Sequence, residues 1–241
     1  EAFIYDGNTE RAGELLDRLE VLSGSNPEYL VAKGMYFSAV KNPKDAIECF
    51  LAAYPDYDDY FQINVLLGEE YAAVGNLGLA AKYFQKAVLS NPADTEAIAR
   101  LADIYAYSQN HEQAVRFFNR LIDADPYNAD AWHQLGVFYC RDEKWDPAIR
   151  AFGYAISIDP ERTLAYYDLA DLYEQREEPA KVIETLKELL LAKHTEDPYP
   201  YMRIAENYQT LEDFDNACEF FLKAVHYDPQ LSLVRQYKNK S

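Results

Sequence analysis

The chain has 241 residues, 49% of them hydrophobic and 15% aromatic, and carries a formal charge of −18. So acidic a chain is repelled by nucleic-acid phosphates and by anionic lipid, which leaves basic or neutral partners, or solubility alone, as what the charge serves. No apolar run approaches the length of a membrane span, so no insertion into a bilayer is expected.

In chain order, residues 1–26 read as a partial unit holding only a second helix. Phe3 falls near the end of a first helix, Asp6, Gly7 and Asn8 make a turn, and Ala12, Leu15, Leu16 and Leu19 form one apolar stripe. The chain opens at Glu1, without a methionine and inside a unit. It therefore reads as a piece of a longer protein, and a signal peptide cannot be judged from it. From residue 27 a repeat sets in. Phe37, Tyr71, Tyr105, Tyr139 and Tyr173 are spaced by 34 residues, and Tyr208 follows after 35. The units are 27–60, 61–94, 95–128, 129–162, 163–197 and 198–231.

The clearest unit is 129–162, with Trp132, Leu135, Gly136 and Tyr139 in its first half and Ala148, Phe152, Ala155 and Pro160 in its second. Counted from the first residue of the unit, these are register positions 4, 7, 8, 11, 20, 24, 27 and 32. Steps of three and four put the first set on one helix face and positions 20, 24 and 27 on a face of a second helix. Small residues at 8, 20 and 27 let the helices approach, rings at 11 and 24 fill the remaining space, and Asp-Pro or Asn-Pro ends the second helix. Unit 27–60 has an irregular exit, where Pro55 is expected to stop the second helix a turn early. The Asp56-Tyr57-Asp58-Asp59-Tyr60 segment that follows is either a solvated connector or a lip over a ligand. Unit 163–197 departs most. Val182, Leu186 and Leu189 replace the small–aromatic–small trio, and its second helix is expected to start at Pro179 and run a turn long, to Asp197-Pro198. Residues 232–241 read as a tail or the start of a capping helix.

This pattern resembles the tetratricopeptide repeat (TPR), with six full repeats after a partial one. The resemblance implies an all-α fold, a right-handed α-solenoid superhelix of antiparallel helix hairpins forming one continuous domain. It also implies that first helices line the concave face, so that residues at positions 2, 5, 9 and 12 are the ones free to meet a ligand. The candidate groove residues are Val31, Met35, Val65, Glu69, Ala99, Asp103, His133, Val137, Cys140, Tyr167, Asp171, Glu174, Met202 and Glu206, with Arg100, Arg141 and Arg203 at the margins. A mixture of aliphatic and acidic positions, such a surface suits a basic, partly apolar peptide or protein, unless it is merely a solvated wall. One subtype of the family grips C-terminal carboxylates with lysine at position 5 and asparagine at position 9. Neither occurs in any unit here, which speaks against a chaperone-tail receptor.

Catalytic and metal signatures are missing. His111, His133, His194 and His226 are dispersed, no Cys-x-x-Cys or His-Glu-x-x-His occurs, and the nine glycines build no phosphate loop. His133 and Cys140 lie two turns apart, about 10 Å, too far to hydrogen-bond. No enzyme activity and no cofactor are expected. Cys49, Cys140 and Cys218 sit far apart in the stack, so no disulfide is expected, and a cytoplasmic location fits. The alternative to a groove-binding adaptor is an assembly module, self-associating through its ends or docking on a catalytic domain outside these residues.

Overall fold

A computed structural model describes residues 8–23, 26–57 and 61–231. The expectations placed on Phe3, Asp6 and Gly7, on Asp58-Asp59-Tyr60 and on the tail 232–241 lie outside the described residues. The described residues form thirteen helices and no strand. They divide into two compact units, within Glu1–Asp125 and within Pro126–Ser241.

The first unit begins with α1 (Thr9–Ser23), the helix of the partial repeat. Three hairpins follow: α2 (Pro27–Ala39) with α3 (Pro43–Tyr57), α4 (Phe61–Ala73) with α5 (Leu77–Ser90), and α6 (Thr95–Tyr107) with α7 (His111–Ala124). The second unit holds three more: α8 (Ala129–Arg141) with α9 (Trp145–Ile158), α10 (Thr163–Gln175) with α11 (Pro179–Ala192), and α12 (Tyr199–Thr210) with α13 (Phe214–Tyr227). Within each unit every first helix packs on its own second helix, and each second helix on the next first helix.

The turn inside each hairpin has one recurring form. The residue at position 15 adopts a left-handed conformation, with φ of 52–63° at Lys41, Gln109, Glu143, Glu177 and Glu212 and 77° at Gly75. The next amide then donates back to the carbonyl of the aromatic at position 11, as Asn76 does to Tyr71 and Lys144 to Tyr139, both at 2.8 Å. This closes the helix in a Schellman geometry. At the other end Asn91, Asp125, Asp159 and Asp228 are extended, as the proline that follows each of them requires. Asp94 and Asn128 accept from the first amides of α6 and α8.

The core is built from the repeat residues. Ala46, Phe50, Ala53 and Leu67 are fully buried in one cluster, and Ala148, Phe152 and Ala155 centre another with Tyr166 and Leu172. The glycine at position 8 has a steric reason. A Cβ on Gly34, Gly68 or Gly136 would come within 2.5, 2.8 or 2.6 Å of the ring of Phe50, Phe84 or Phe152. Ala102, Ala170 and Ala205 hold the same position in the other three hairpins. Trp132 is half-buried, donates to the Pro126 carbonyl at 2.9 Å and packs on Tyr154.

Two expectations are corrected. Pro55 lies inside α3, which reaches Tyr57 rather than stopping a turn early. So near the helix end, the proline forfeits one intrahelical bond without breaking the buried Phe50–Ala53 contact. The helix α11 starts at Pro179 as expected but ends at Ala192, no longer than its counterparts. The extra residue of that unit is taken up by the connector before α12, where Asp197 accepts from the Tyr199 amide.

Candidate functional site

The candidate positions lie on each first helix beside the face that packs in the hairpin core, and the two units treat them differently. In the first unit Val31 and Met35 of α2 are half-buried and pack against the Phe50 cluster. On α4 Val65 is half-buried while Glu69 is exposed, and on α6 both Ala99 and Asp103 are exposed. Glu69 and Asp103 therefore occur at one register, a repeat apart, on the successive first helices α4 and α6. Partial desolvation pushes the Glu69 carboxyl above its ordinary range, Arg100 opposes this, and Glu96 and Glu70 add to it. Arg100 is exposed and reaches Glu96 at 3.5 Å. Beneath this face Glu70 is 6% exposed and accepts from the hydroxyl of Ser38 on α2.

In the second unit the same positions are largely consumed by contacts between hairpins. His133 of α8 is 6% exposed, and its Nε2–H donates to Asp168 Oδ2 of α10 at 2.6 Å. Val137 and Cys140 are half-buried against the Phe152 cluster, and burial pushes the Cys140 thiol up to about 11. Tyr167 donates to Asp197 at 3.3 Å and meets the Tyr199 ring edge-on.

Arg203 of α12 is the largest departure from the sequence reading. It is buried rather than marginal, with its Nη2 2.7 Å from Asp171 and 2.8 Å from Glu174. Asn207, also buried, donates to the same Glu174 oxygen at 3.2 Å. Enclosure pushes the Asp171 carboxyl up, and Arg203 holds it down. Two of the expected groove acids are thus neutralised from within the unit. Met202 is half-buried and Glu206 exposed. Arg141 is exposed beside the Phe138 ring.

Sequence reasoning missed these cross-links, though a signal exists: complementary polar residues about one period apart. His133 and Asp168 are 35 apart, Ser38 and Glu70 32, and Asp130 and Arg162 32. Among the described residues no group of three or more His, Cys, Asp or Glu could hold a metal ion, and no helix is long and apolar enough to cross a membrane.

Comparison with known proteins bears on the scaffold. Tetratricopeptide-repeat family models match residues 71–136, 139–205 and 199–231. No curated protein sequence matches the chain. Among solved structures, the C-terminal part of a TPR repeat-containing protein from Cytophaga hutchinsonii superposes with a TM-score of 0.70 at 14% identity, covering 94% of this chain and 93% of that one. MamA superposes at 0.56 with 22% identity over 71% of this chain and 93% of that one. PilF from Pseudomonas aeruginosa does so at 0.56 with 13% identity over 89% and 97%. At such identities the likeness concerns the fold alone.

Proposed function

Because the chain belongs to the tetratricopeptide-repeat family, we propose that it is a protein-interaction scaffold whose first helices hold a basic, partly apolar segment of a protein partner. The observation that carries this reading is the exposure of Glu69 and Asp103 at one register, beside Val65 and Ala99. An extended segment with alternating basic and aliphatic side chains would find carboxylates and apolar surface in matching alternation. The first unit is the favoured site, because Asp171 and Glu174 in the second are already paired with Arg203. The reading is of a binding module, not a catalyst: Cys140, on the same helix as His133, is held protonated by burial, and His133 is bound to Asp168. A cytoplasmic setting is part of the proposal and rests on three free cysteines.

The test is fluorescence anisotropy of a labelled peptide alternating lysine and leucine, titrated with the full chain. Glu69→Lys with Asp103→Lys should weaken binding at least tenfold, about 1.4 kcal/mol, and salt should weaken the wild type. Both side chains are exposed, so thermal stability should hardly change. Unchanged affinity in the double variant would reject the acidic face as the binding surface.

A further inference from the structure

The second helices of the second unit carry a different surface. Between α11 and α13 lies an open cleft of about 730 Å³, floored by Tyr201 of α12. Leu191 and Leu222 stand at its rim, 88% and 61% exposed. At the corresponding positions 29 and 25 the preceding hairpin of this unit carries Ser157 and Gly153. The repeat architecture therefore does not require leucine at either place.

The charges around these leucines are mixed, three carboxylates to two lysines, and so less one-sided than the 41 acidic to 23 basic residues of the chain. On α11 Glu184, Lys187 and Glu188 alternate, and on α13 Glu219 and Lys223 pair at 2.6 Å. Lys187 is fixed over the Phe220 ring with its ammonium donating to the Tyr208 hydroxyl. Lys223 is half exposed. Copies of a chain with a charge of −18 repel one another over most of their surface, and this repulsion is weakest where lysines and glutamates alternate around apolar side chains. A strongly basic partner gains little here, and an acidic one is repelled by the rest of the molecule.

We infer that this face takes a second copy of the chain, in an isologous dimer. The two-fold axis sets Leu191 of one copy against Leu222 of the other, and Glu184 and Glu188 against Lys223. The surface belongs to the second helices and is independent of the first-helix reading above.

Sedimentation velocity on the full chain, from about 1 to about 200 µM, tests it directly. A concentration-dependent dimer is expected, weakened at least tenfold by Leu191→Glu with Leu222→Glu. Two charge variants at exposed positions guard against a folding artefact. Glu184→Lys with Glu188→Lys, and separately Lys223→Glu, should each associate less than wild type, while an equimolar mixture of the two recovers association. A wild-type chain that stays monomeric throughout overturns the inference, whether residues 232–241 or another protein covers the face. So does a dimer indifferent to the leucine variants, or a mixture that fails to recover.

Discussion

Replacing Gly136 by alanine puts one methyl group against the ring of Phe152. Its Cβ would lie 2.6 Å from Cδ1 and Cε1 and 3.0 Å from Cζ, well inside contact distance. The ring cannot swing away, since Phe152 is 1% exposed and sits in a cluster with Ala148 and Ala155, both fully buried. Overpacking of this kind costs about 1–3 kcal/mol, and removing a glycine from a helix interior returns about 1 kcal/mol. The net expected loss is about 1 kcal/mol, localised in the α8–α9 hairpin. A compensating change is already present in the chain, where Ala170 packs in one cluster with Leu186 instead of a ring. Gly136→Ala should therefore be neutral or stabilising in a Phe152→Leu background. Urea denaturation of the wild type, both single variants and the double variant, followed by far-UV circular dichroism, gives the coupling energy. A loss from Gly136→Ala that is the same in both backgrounds would refute the packing argument.

Other expectations follow from the turns, the buried ion pair and the thiols. Glu143 is exposed and left-handed, so Glu143→Gly should raise stability by about 0.5–1 kcal/mol, and Gly75→Ala should lower it by a similar amount, both read from urea midpoints. Arg203→Ala should cost about 1–3 kcal/mol, below the range for a fully buried pair because Asp171 and Glu174 are half exposed. The Asp171 carboxyl is already raised in the folded chain, so its ionisation disfavours folding as pH rises, and removing Arg203 deepens that effect. The cost of Arg203→Ala should accordingly shrink as pH falls from 7 into the raised range where the Asp171 carboxyl protonates; a pH-independent cost would contradict the assignment. With its thiol at about 11, Cys140 is ~0.1% thiolate at pH 8 and should alkylate far more slowly than the exposed Cys218, as peptide mass mapping would show.

The hairpin architecture is legible in the sequence because the residues that define the period are the ones that make the contacts. Gly34, Gly68 and Gly136 recur in register with Phe50, Phe84 and Phe152 because an added Cβ at each would meet the facing ring. The ends of helices are harder to read. Asp-Pro stops α9 as the sequence suggests, but Pro55 near the end of α3 costs too little to move the boundary, and α11 stops at Ala192 without any proline. The candidate surface is legible only in part. Glu69 and Asp103 are exposed as a polar face should be, whereas a register reading cannot tell a free carboxylate from one whose partner sits on the next hairpin. Asp171 meets Arg203, and His133 meets Asp168, across about one period of sequence. The same limit hides Leu191 and Leu222: exposed leucines also occupy these register positions at Leu89 and Leu51 in the first unit, and only the folded second unit shows Leu191 and Leu222 bordering one cleft.

The claim that the first helices hold the partner is tested most directly by a two-dimensional amide NMR titration of the full chain with the lysine–leucine peptide. Shifts are expected to saturate and to concentrate at Val65, Glu69, Ala99 and Asp103, with Leu191 and Leu222 unmoved. Shifts gathered on second helices, or none while the anisotropy reports binding, would contradict it.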